Sequence, residues 1–271
     1  MSKTTTTIET ITPAIAKKLL YGNTNNRPVN PGNLAFLVKQ IKSGDFHLTG
    51  ETIKVANTGR LIDGQHRLMA IVESGISVKT TIVRGLEENV FKYIDTGRPR
   101  QAGDVLAIEG CGEYHLTAAA IKFIMHFKNG KYSSAAGQSA KGKEKLSNSD
   151  VIDFYHKHVT QLKNSVDFAR KVKNKVIPGS QIVGLHYIFK AKDFNLAEEF
   201  FLRLGDGVNL SKTSPIHCLR ERLLSDRIMK LRLSSYDKMA LVIKAWNAYR
   251  GGKQISVLRF NSQKDVFPKV A

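Results

Sequence analysis

The chain has 271 residues, and its 42 Lys and Arg against 23 Asp and Glu leave a formal net charge of +19. Its length suits one large or two small domains, and an apolar fraction of 42% is enough to build a core. The sequence has no apolar run long enough to span a membrane, which excludes a transmembrane helix, and no apolar secretory signal. It has only two cysteines, which excludes a disulfide framework and a Cys-rich zinc site. A cytoplasmic location is therefore expected.

The first predicted elements are two helices separated by a loop. Thr12 followed by Pro13 is typical of a helix start, with Thr12 as the N-cap. Residues 23–32 are rich in Asn, Pro and Gly and predict a loop. Apolar residues at helical spacing then predict a helix over 33–43, which Gly44 ends.

Short strands and a third helix follow. The strand-like runs lie at 52–55, 61–62 and 78–83. A helix over 65–74, closed by Gly75, is expected between the last two runs. Residues 1–110 therefore predict a small domain that mixes α and β structure.

The remaining residues, 111–271, predict a mainly α-helical domain. Periodicity and end signals place helices at 113–128, 150–173, 181–192, 196–204, 215–227 and 236–249. The segment 130–149 is poor in apolar residues and rich in Ser, Gly and Lys, so we expect a flexible basic loop there, and Ser149 is the predicted N-cap of the helix that follows. The expected fold class is α+β.

Charge is distributed unevenly between the two parts. Residues 1–110 carry 14 basic and 10 acidic residues, a net +4, whereas residues 111–271 carry 28 and 13, a net +15. An excess of this size favours a polyanionic partner, with double-stranded DNA as the leading expectation. The alternative is a solvated basic surface that keeps the protein soluble.

The segment with the clearest chemistry is Asp-Gly-Gln-His-Arg, where an apolar strand end turns into a helix. Free amide groups at a helix N-terminus favour anions, and Gly64 allows a ligand to approach the backbone. Gln65 and Arg67 can bind a phosphate, and His66 can act as an acid or base. Asp63 can hold a metal ion or orient an attacking hydroxyl.

The same spacing also fits a purely structural role. Asp63 would then cap the helix and pair with Arg67 one turn away, and His66 would be exposed. The spacing alone does not decide between the two interpretations.

Two motifs resemble the ParB/sulfiredoxin superfamily. The five-residue segment matches its DGQHR signature, and Gly64, Arg67 and Ala70 match the phosphate-contacting Gly-x-x-Arg-x-x-Ala pattern of ParB-type domains. An Asn-Arg-Pro segment at 26–28 precedes them, and the resemblance covers about residues 8–86. It implies a small ParB/sulfiredoxin-like domain that binds a nucleoside triphosphate with Mg²⁺, or a DNA end. It also implies a role in phage, prophage or plasmid DNA metabolism, in a bacterial or phage-infected host cell.

Members of this superfamily include CTP-dependent DNA clamps, free-serine kinases, sulfiredoxins, ParB-like nucleases and DGQHR proteins associated with DNA modification. Sulfiredoxins have a catalytic Cys where this chain has Gln65, so reduction of a sulfinic acid is not expected. ParB clamps have Gly-Glu-Arg-Arg, and Gln65 and His66 replace its middle pair, which argues against CTP hydrolysis. The serine kinases share Asp63, Gly64, His66 and Arg67, so the motif permits kinase chemistry.

A second polar cluster lies at 95–104, in a turn before a short helix predicted at 104–108. Arg98 and Arg100 flank Pro99, which restricts the backbone between them, and both can reach a phosphate of a nucleotide or of DNA. The alternative is an interdomain loop with solvated arginines.

The third candidate is a basic stretch at 122–175, which holds 12 basic and 4 acidic residues. The residues expected to contact DNA phosphates are Lys141, Lys143, Lys145, Arg170, Lys171, Lys173 and Lys175. Such contacts bind without reading the base sequence and weaken steeply with salt. Basic residues near a helix C-terminus also complement the helix dipole, so a structural role is the alternative.

The leading hypothesis is a DNA-binding protein with a ParB-like nucleotide- or phosphate-binding domain, acting in partition, modification, regulation or restriction. A different hypothesis is a non-enzymatic interaction protein whose basic face binds an acidic protein. The sequence does not determine the oligomeric state under either hypothesis, and a homodimer is one possibility.

An enzyme is the remaining hypothesis, either a ParB-like nuclease or an NTP-dependent phosphotransferase or hydrolase. Asp63 would hold a metal or activate a nucleophile, His66 would act as acid or base, and Arg67 would stabilise phosphate charge. A metal-dependent nuclease needs further carboxylates near Asp63, and the candidates are Glu51, Glu73, Asp95 and Asp104.

Overall fold

The computed structural model describes residues 3–24, 26–94, 100–130, 146–173, 176–229 and 233–271. The chain divides into unit 1, Met1–Pro99, and unit 2, Arg100–Ala271. The division lies earlier than the boundary predicted after residue 110, because the helix Ala102–Ile108 packs on the helix Tyr114–Lys128 and so belongs to the helical unit.

The described part of unit 1 combines a four-stranded sheet with three α-helices and a 3-10 helix at Glu88–Tyr93. The strands are β1 Thr5–Ile11, β2 Thr52–Ala56, β3 Leu61–Asp63 and β4 Val78–Leu86, and the helices are α1 Pro13–Leu20, α2 Pro31–Ser43 and α3 Gln65–Ser74. The sheet order is β1-β4-β2-β3. β4 pairs antiparallel with β1 and parallel with β2, and β2 pairs antiparallel with β3.

Most helix ends in unit 1 follow the signals in the sequence. The Thr12 side chain accepts a hydrogen bond from the Ile15 amide at 3.2 Å, which confirms the predicted N-cap of α1. Gly44 ends α2 in the left-handed conformation, with φ of 79°. α2 begins earlier than predicted because the Asn30 side chain caps it by accepting from the Asn33 amide at 3.0 Å.

Strand β1 is a regular element of unit 1 that the sequence analysis does not predict, as is the 3-10 helix at Glu88–Tyr93. Of its seven residues only Ile11 is buried, so the strand lacks the alternation of apolar and polar residues that marks a half-buried strand. Its pairing with β4 along the whole length, from Thr5 opposite Arg84 to Ile11 opposite Val78, is a tertiary interaction. Sequence periodicity carries no signal for such an edge strand.

The core of unit 1 forms around α3. Leu68 and Ile71 of α3 are fully buried with Ile53 of β2, Leu61 of β3 and Ile82 of β4. The helix also packs against α1 and α2. Because α3 follows β3 after a single residue, this packing determines where the polar segment 63–67 lies.

The regular elements described in unit 2 are helices. They are α4 Ala102–Ile108, α5 Tyr114–Lys128, α6 Asn148–Lys171, α7 Gly179–Lys190, α8 Phe194–Asp206, α9 Pro215–Met229 and α10 Ser235–Arg250. The expected combination of α and β structure is thereby confirmed. The N-cap of α6 is Ser147 and not the predicted Ser149, because Ser147 and Asp150 form a reciprocal capping box. The expected flexible loop near 130–149 falls largely on residues outside those described.

An aromatic cluster forms the centre of unit 2. Trp246 is fully buried and stacks on Phe189 at 4.4 Å between ring centroids, with Phe200 edge-on at 5.7 Å. Trp246 therefore belongs to the hydrophobic core of unit 2. Among the described residues, no helix combines the length and the apolar content that crossing a membrane requires.

Candidate functional site

The turn between β3 and α3 consists of Gly64 alone. Its φ is 103°, in the left-handed region, and a Cβ at this position would lie 3.1 Å from Cγ1 of Ile53. Glycine is therefore required both by backbone conformation and by the close approach of β2. Gly64, not Asp63, is the N-cap of α3, and no described side chain caps this helix. The first amide groups of α3 are thus left without a side-chain acceptor.

The carboxylate of Asp63 is bound at both oxygens. Its Oδ2 lies 2.9 Å from Nζ of Lys54 and 3.1 Å from Nη2 of Arg67, and its Oδ1 accepts a hydrogen bond from the Gly64 amide at 2.7 Å. Burial raises the pKa of Asp63, but the hydrogen bond from Lys54 and the charges of Arg67 and Lys54 outweigh it and hold the pKa below its usual value. Asp63 is therefore an ionised group that two protein cations already neutralise.

One terminal nitrogen of the Arg67 guanidinium has a hydrogen-bond acceptor and the other has none among the described residues. Nη2 binds Asp63, as the structural interpretation of the segment predicts, whereas Nη1 lies 3.7 Å from Oε2 of Glu51, too far for a hydrogen bond. Nη1 is buried and has no hydrogen-bond partner among the described residues. A buried charged donor without an acceptor is costly, and a phosphate oxygen would satisfy it.

Gln65 binds the loop that precedes α2. Its Nε2 donates to the carbonyl oxygen of Arg27 at 2.7 Å, and its Oε1 accepts from Nδ2 of Asn23 at 3.2 Å. Asn26 adds a bond from Nδ2 to the carbonyl oxygen of Leu61 at 2.8 Å. Both ends of the Gln65 amide are therefore used inside the protein, and its role in the site is to position the loop rather than to contact a ligand.

His66 binds the same loop at its far end. Its Nε2 accepts a hydrogen bond from the Asn30 amide at 2.9 Å, and the residue is 6% exposed, so the expectation of an exposed histidine is wrong. Burial lowers the pKa of His66, and the positive charge of Arg27 lowers it further. The imidazole is thus neutral at neutral pH with Nε2 occupied, which argues against proton transfer at that atom.

An open cleft of about 680 Å³ lies over this segment within unit 1. All five residues of 63–67 line it, together with residues of the loop before α2, of α2 and of the segment 45–51. The charged lining residues are Arg27, Arg67, Asp45, Glu51 and Asp63. Because the cleft contains both carboxylates and guanidinium groups, it has no strong net positive charge to attract an anion. An anion would instead be bound by direct contacts with Arg27, Arg67 and the α3 amides.

Among the described residues, the candidate carboxylates of unit 1 do not form a metal site with Asp63. Glu51 lies beside Arg67, Glu73 belongs to the last turn of α3, and Asp104 accepts from the Gln101 amide in the capping box of α4. Asp95 lies outside the described residues. Within the described ranges, no group of three His, Cys, Asp or Glu side chains is placed to hold a metal ion. Asp63, with Lys54 and Arg67 bound, does not fit the expected role of metal ligand.

The remaining predicted residues belong to unit 2 or lie outside the described ranges. Arg98, Lys141, Lys143, Lys145 and Lys175 are in the second group. Arg100 is exposed, and its carbonyl oxygen accepts from Nδ2 of Asn148 at 3.1 Å. Arg170 and Lys171 end α6, Lys173 follows, and all three side chains are exposed.

Several residues of the site, Arg27 among them, were not identified as site residues by the sequence analysis. Lys54 binds Asp63, and Asn23 and Asn26 link the loop to Gln65 and Leu61. A lysine at an alternating strand position and asparagines in a loop are ordinary there, so only their tertiary partners reveal these roles.

No family model, curated protein or solved structure matches the chain. The resemblance to the ParB/sulfiredoxin superfamily thus rests on the motif at 63–70 and on the order of the elements around it.

Proposed function

We propose that the chain is a DNA-binding protein whose unit 1 is a ParB-like domain that binds a nucleotide or phosphate group in the cleft over residues 63–67. The observation that carries this proposal is the buried Nη1 of Arg67, which has no hydrogen-bond acceptor among the described residues. Arg67 belongs to the first turn of α3, whose N-terminus has no side-chain cap. The biological setting would be phage, prophage or plasmid DNA metabolism, as the motif implies.

The ligand chemistry follows from the groups around the cleft. The amides of α3 and the guanidinium of Arg67 are hydrogen-bond donors that favour a compact anion. Gly64 lines the cleft, and Arg27 is exposed at the cleft wall with its carbonyl fixed by Gln65. A phosphate group accepts several such bonds at once, so it matches this donor set better than a neutral ligand.

Binding of DNA is assigned to unit 2 because of its charge. Arg170 and Lys171 end α6 and Lys173 follows it, and all three side chains are exposed. Residues 111–271 carry a net +15, so most of the electrostatic attraction of the chain comes from this part. Contacts of this kind bind phosphates without reading bases.

An enzymatic function is the weaker alternative. Asp63 is neutralised by Lys54 and Arg67, and Nε2 of His66 accepts the Asn30 amide. Catalysis by these two residues would first require that these contacts break. A ligand-binding or switching role uses the same arrangement unchanged.

Thermal unfolding of the full chain tests the cleft. We expect one of the four ribonucleoside triphosphates, or inorganic phosphate, to stabilise the protein, by about 2.7 kcal/mol at a ligand concentration of 100 times Kd. Arg27→Ala should weaken this stabilisation, whereas Lys18→Ala, which removes an exposed charge of α1 outside the cleft, should not. If no ligand raises the melting temperature, with or without Mg²⁺, the cleft proposal fails. Release of phosphate or diphosphate in the same samples would favour the enzyme.

Salt dependence of DNA affinity tests unit 2. The slope of log K against log salt is about −0.9 for each phosphate contacted, so removing Arg170, Lys171 and Lys173 together should flatten it by up to about 2.7. The control removes Arg250, Lys253 and Lys264, an equal charge from exposed positions of the same unit. We expect binding to survive Asp63→Ala. Absence of DNA binding at low salt, with binding of heparin and acidic proteins retained, would favour an interaction protein instead.

A further inference from the structure

A second cavity, of about 760 Å³, lies within unit 2, and none of the residues considered so far as phosphate contacts is among the described residues that line it. The end of α5, the middle of α6, the end of α7 and the C-terminal residues 269–270 surround it. Its charged side chains are Lys128, Lys190, Lys192 and Lys269, and its aromatic side chains are Phe127, Tyr187 and His158.

The cavity has charge of one sign. No Asp or Glu is among the described residues that line it. The C-terminal ends of α5 and α7, at Lys128 and Lys190, each contribute about half a negative charge through the helix dipole. Four lysines exceed this by a wide margin, so the cavity attracts an anion. Helix capping alone does not explain Lys192 and Lys269, which lie outside both helices.

The three aromatic side chains Phe127, Tyr187 and His158 form what we call the aromatic wall of the cavity. Contacts with neighbouring side chains hold Tyr187 and His158 in place. Nζ of Lys128 lies 5.4 Å from the ring centroid of Tyr187 and 5.3 Å from that of Phe154. The Tyr187 hydroxyl is hydrogen-bonded to Nδ1 of His158 at 3.1 Å, at the point where His158 departs from helical geometry and kinks α6.

Both members of this polar pair are uncharged at neutral pH. Burial lowers the pKa of His158, and the charges of Lys128 and Lys157 lower it further. Burial raises the pKa of Tyr187. The wall therefore offers flat, neutral aromatic surface, with the positive charge confined to the lysines.

We propose that this cavity binds a nucleotide unit, with the base against Tyr187 and Phe127 and the phosphate against Lys192 and Lys269. A bare phosphate would make no use of the aromatic side chains, and a purely apolar ligand would leave the lysines without a counter-charge. A planar base joined to an anionic group satisfies both, and the volume is in the range of small-molecule sites. The source of the unit is either a free nucleotide or single-stranded nucleic acid. The inference does not depend on the cleft of unit 1.

The test needs a signal from this cavity alone, because the cleft of unit 1 is also proposed to bind phosphate. We suggest labelling the full chain with 3-fluorotyrosine and assigning the fluorine resonance of Tyr187 by its loss in Tyr187→Phe. Thymidine monophosphate and adenosine monophosphate should shift this resonance. Inorganic phosphate and the free nucleosides should bind at least about tenfold more weakly, because each supplies half of the interaction.

A charge-reversal pair provides the matched control. The double variant Lys192→Glu with Lys269→Glu should weaken nucleotide affinity, measured from the shift of the Tyr187 resonance, about tenfold or more. The control, Lys253→Glu with Lys264→Glu, makes the same change in net charge at exposed residues outside the cavity. It should change that affinity less than about twofold. Equal weakening by both pairs would overturn the proposal, because it would reflect net charge alone.

The remaining outcomes are equally decisive. No shift of Tyr187 at millimolar nucleotide, or equal affinity for inorganic phosphate, would overturn the assignment. A four-residue oligothymidylate that binds more tightly than thymidine monophosphate would identify single-stranded nucleic acid as the source, and weaker binding would identify the free nucleotide. The thermal shift of Arg27→Ala reports the cleft of unit 1 separately, so the two proposals can fail independently.

Discussion

The imidazole Nε2 of His66 accepts a hydrogen bond from the backbone amide of Asn30 at 2.9 Å. Asn30 is the N-cap of α2, and His66 lies in the first turn of α3, so this contact links the starts of two helices. It needs a neutral imidazole, and the lowered pKa of His66, caused by burial and by Arg27, maintains one. The histidine of the motif is therefore a positioning residue for the wall of the cleft.

This role predicts a local effect of His66→Ala. The Asn30 amide should lose its acceptor and exchange with solvent faster, and ligand binding in the cleft should weaken because the loop 23–30 is no longer held. Hydrogen exchange at the Asn30 amide measures the first effect. His47→Ala is the control, since His47 lines the same cleft and is exposed.

The contact also predicts a pH dependence with a definite sign. Because the folded pKa of His66 lies below the unfolded value of 6.5, the stabilisation is complete above about pH 6.5 and is lost as the pH falls through the folded pKa. Protection of the Asn30 amide, corrected for intrinsic exchange, should decrease over that range. Protection that is constant with pH, or unchanged in His66→Ala, would contradict this role.

Gly64→Ala should destabilise unit 1 more than an ordinary glycine substitution at a left-handed position. The alanine would combine the strain of φ at 103° with a Cβ placed 3.1 Å from the Ile53 side chain, and we expect a loss of about 2–3 kcal/mol. Gly75→Ala, at the other end of α3, has φ of 74° and no atom within 4 Å of its Cβ, so it should cost about 1 kcal/mol. Calorimetric melting of both variants gives the difference, and equal losses would show that the contact with Ile53 is unimportant.

Asp63→Asn should lower the melting temperature of unit 1. Lys54 and Arg67 would lose their shared counter-charge while remaining 25% and 15% exposed, which we expect to cost about 1–3 kcal/mol. The folded pKa of Asp63 is below its ordinary value of 3.8, so its contribution is present above that pH and disappears as the pH falls through the folded pKa. The difference between wild type and variant should therefore vanish in strong acid. Asp45→Asn, at an exposed cleft residue bonded to Ser43, should change stability little.

His186 predicts a loss of stability of unit 2 in mild acid. The ring is fully buried, stacks on Phe168 at 4.1 Å and bonds to the Ser165 hydroxyl at 3.0 Å. Burial, followed by the charge of Lys190, lowers the pKa of His186 to about 4. Stability is therefore complete above the unfolded pKa of 6.5 and falls by about 3 kcal/mol as the pH approaches 4.

Unfolding measured between pH 7 and pH 4 checks this expectation. His186→Gln should flatten the dependence on pH, whereas the exposed His115→Gln should not. An identical slope in wild type and His186→Gln would show that other groups control acid stability.

Local signals predicted most elements of the fold correctly. The cap at Thr12, the end at Gly44 and the helical spacing in α2 depend on residues within one or two turns, so the sequence contains them in full. The edge strand β1 was missed because its partners in β4 lie 67 to 79 positions further along the chain. The structure divides the chain after Pro99, where the packing of α4 on α5 begins unit 2, and that packing has no local signature in the sequence.

The sequence by itself determined which groups this protein has available: a glycine at the turn before α3, an Asp and an Arg one helical turn apart, and a net charge concentrated after residue 110. Only the tertiary structure decided how those groups are used. Lys54 from β2 neutralises Asp63, and the loop before α2 occupies Gln65 and His66, which leaves Nη1 of Arg67 without a hydrogen-bond acceptor among the described residues. The physical reason is that a polar group that already has a hydrogen-bond partner is no longer available to a ligand, and the partners of Asp63, Gln65 and His66 include residues from distant parts of the chain.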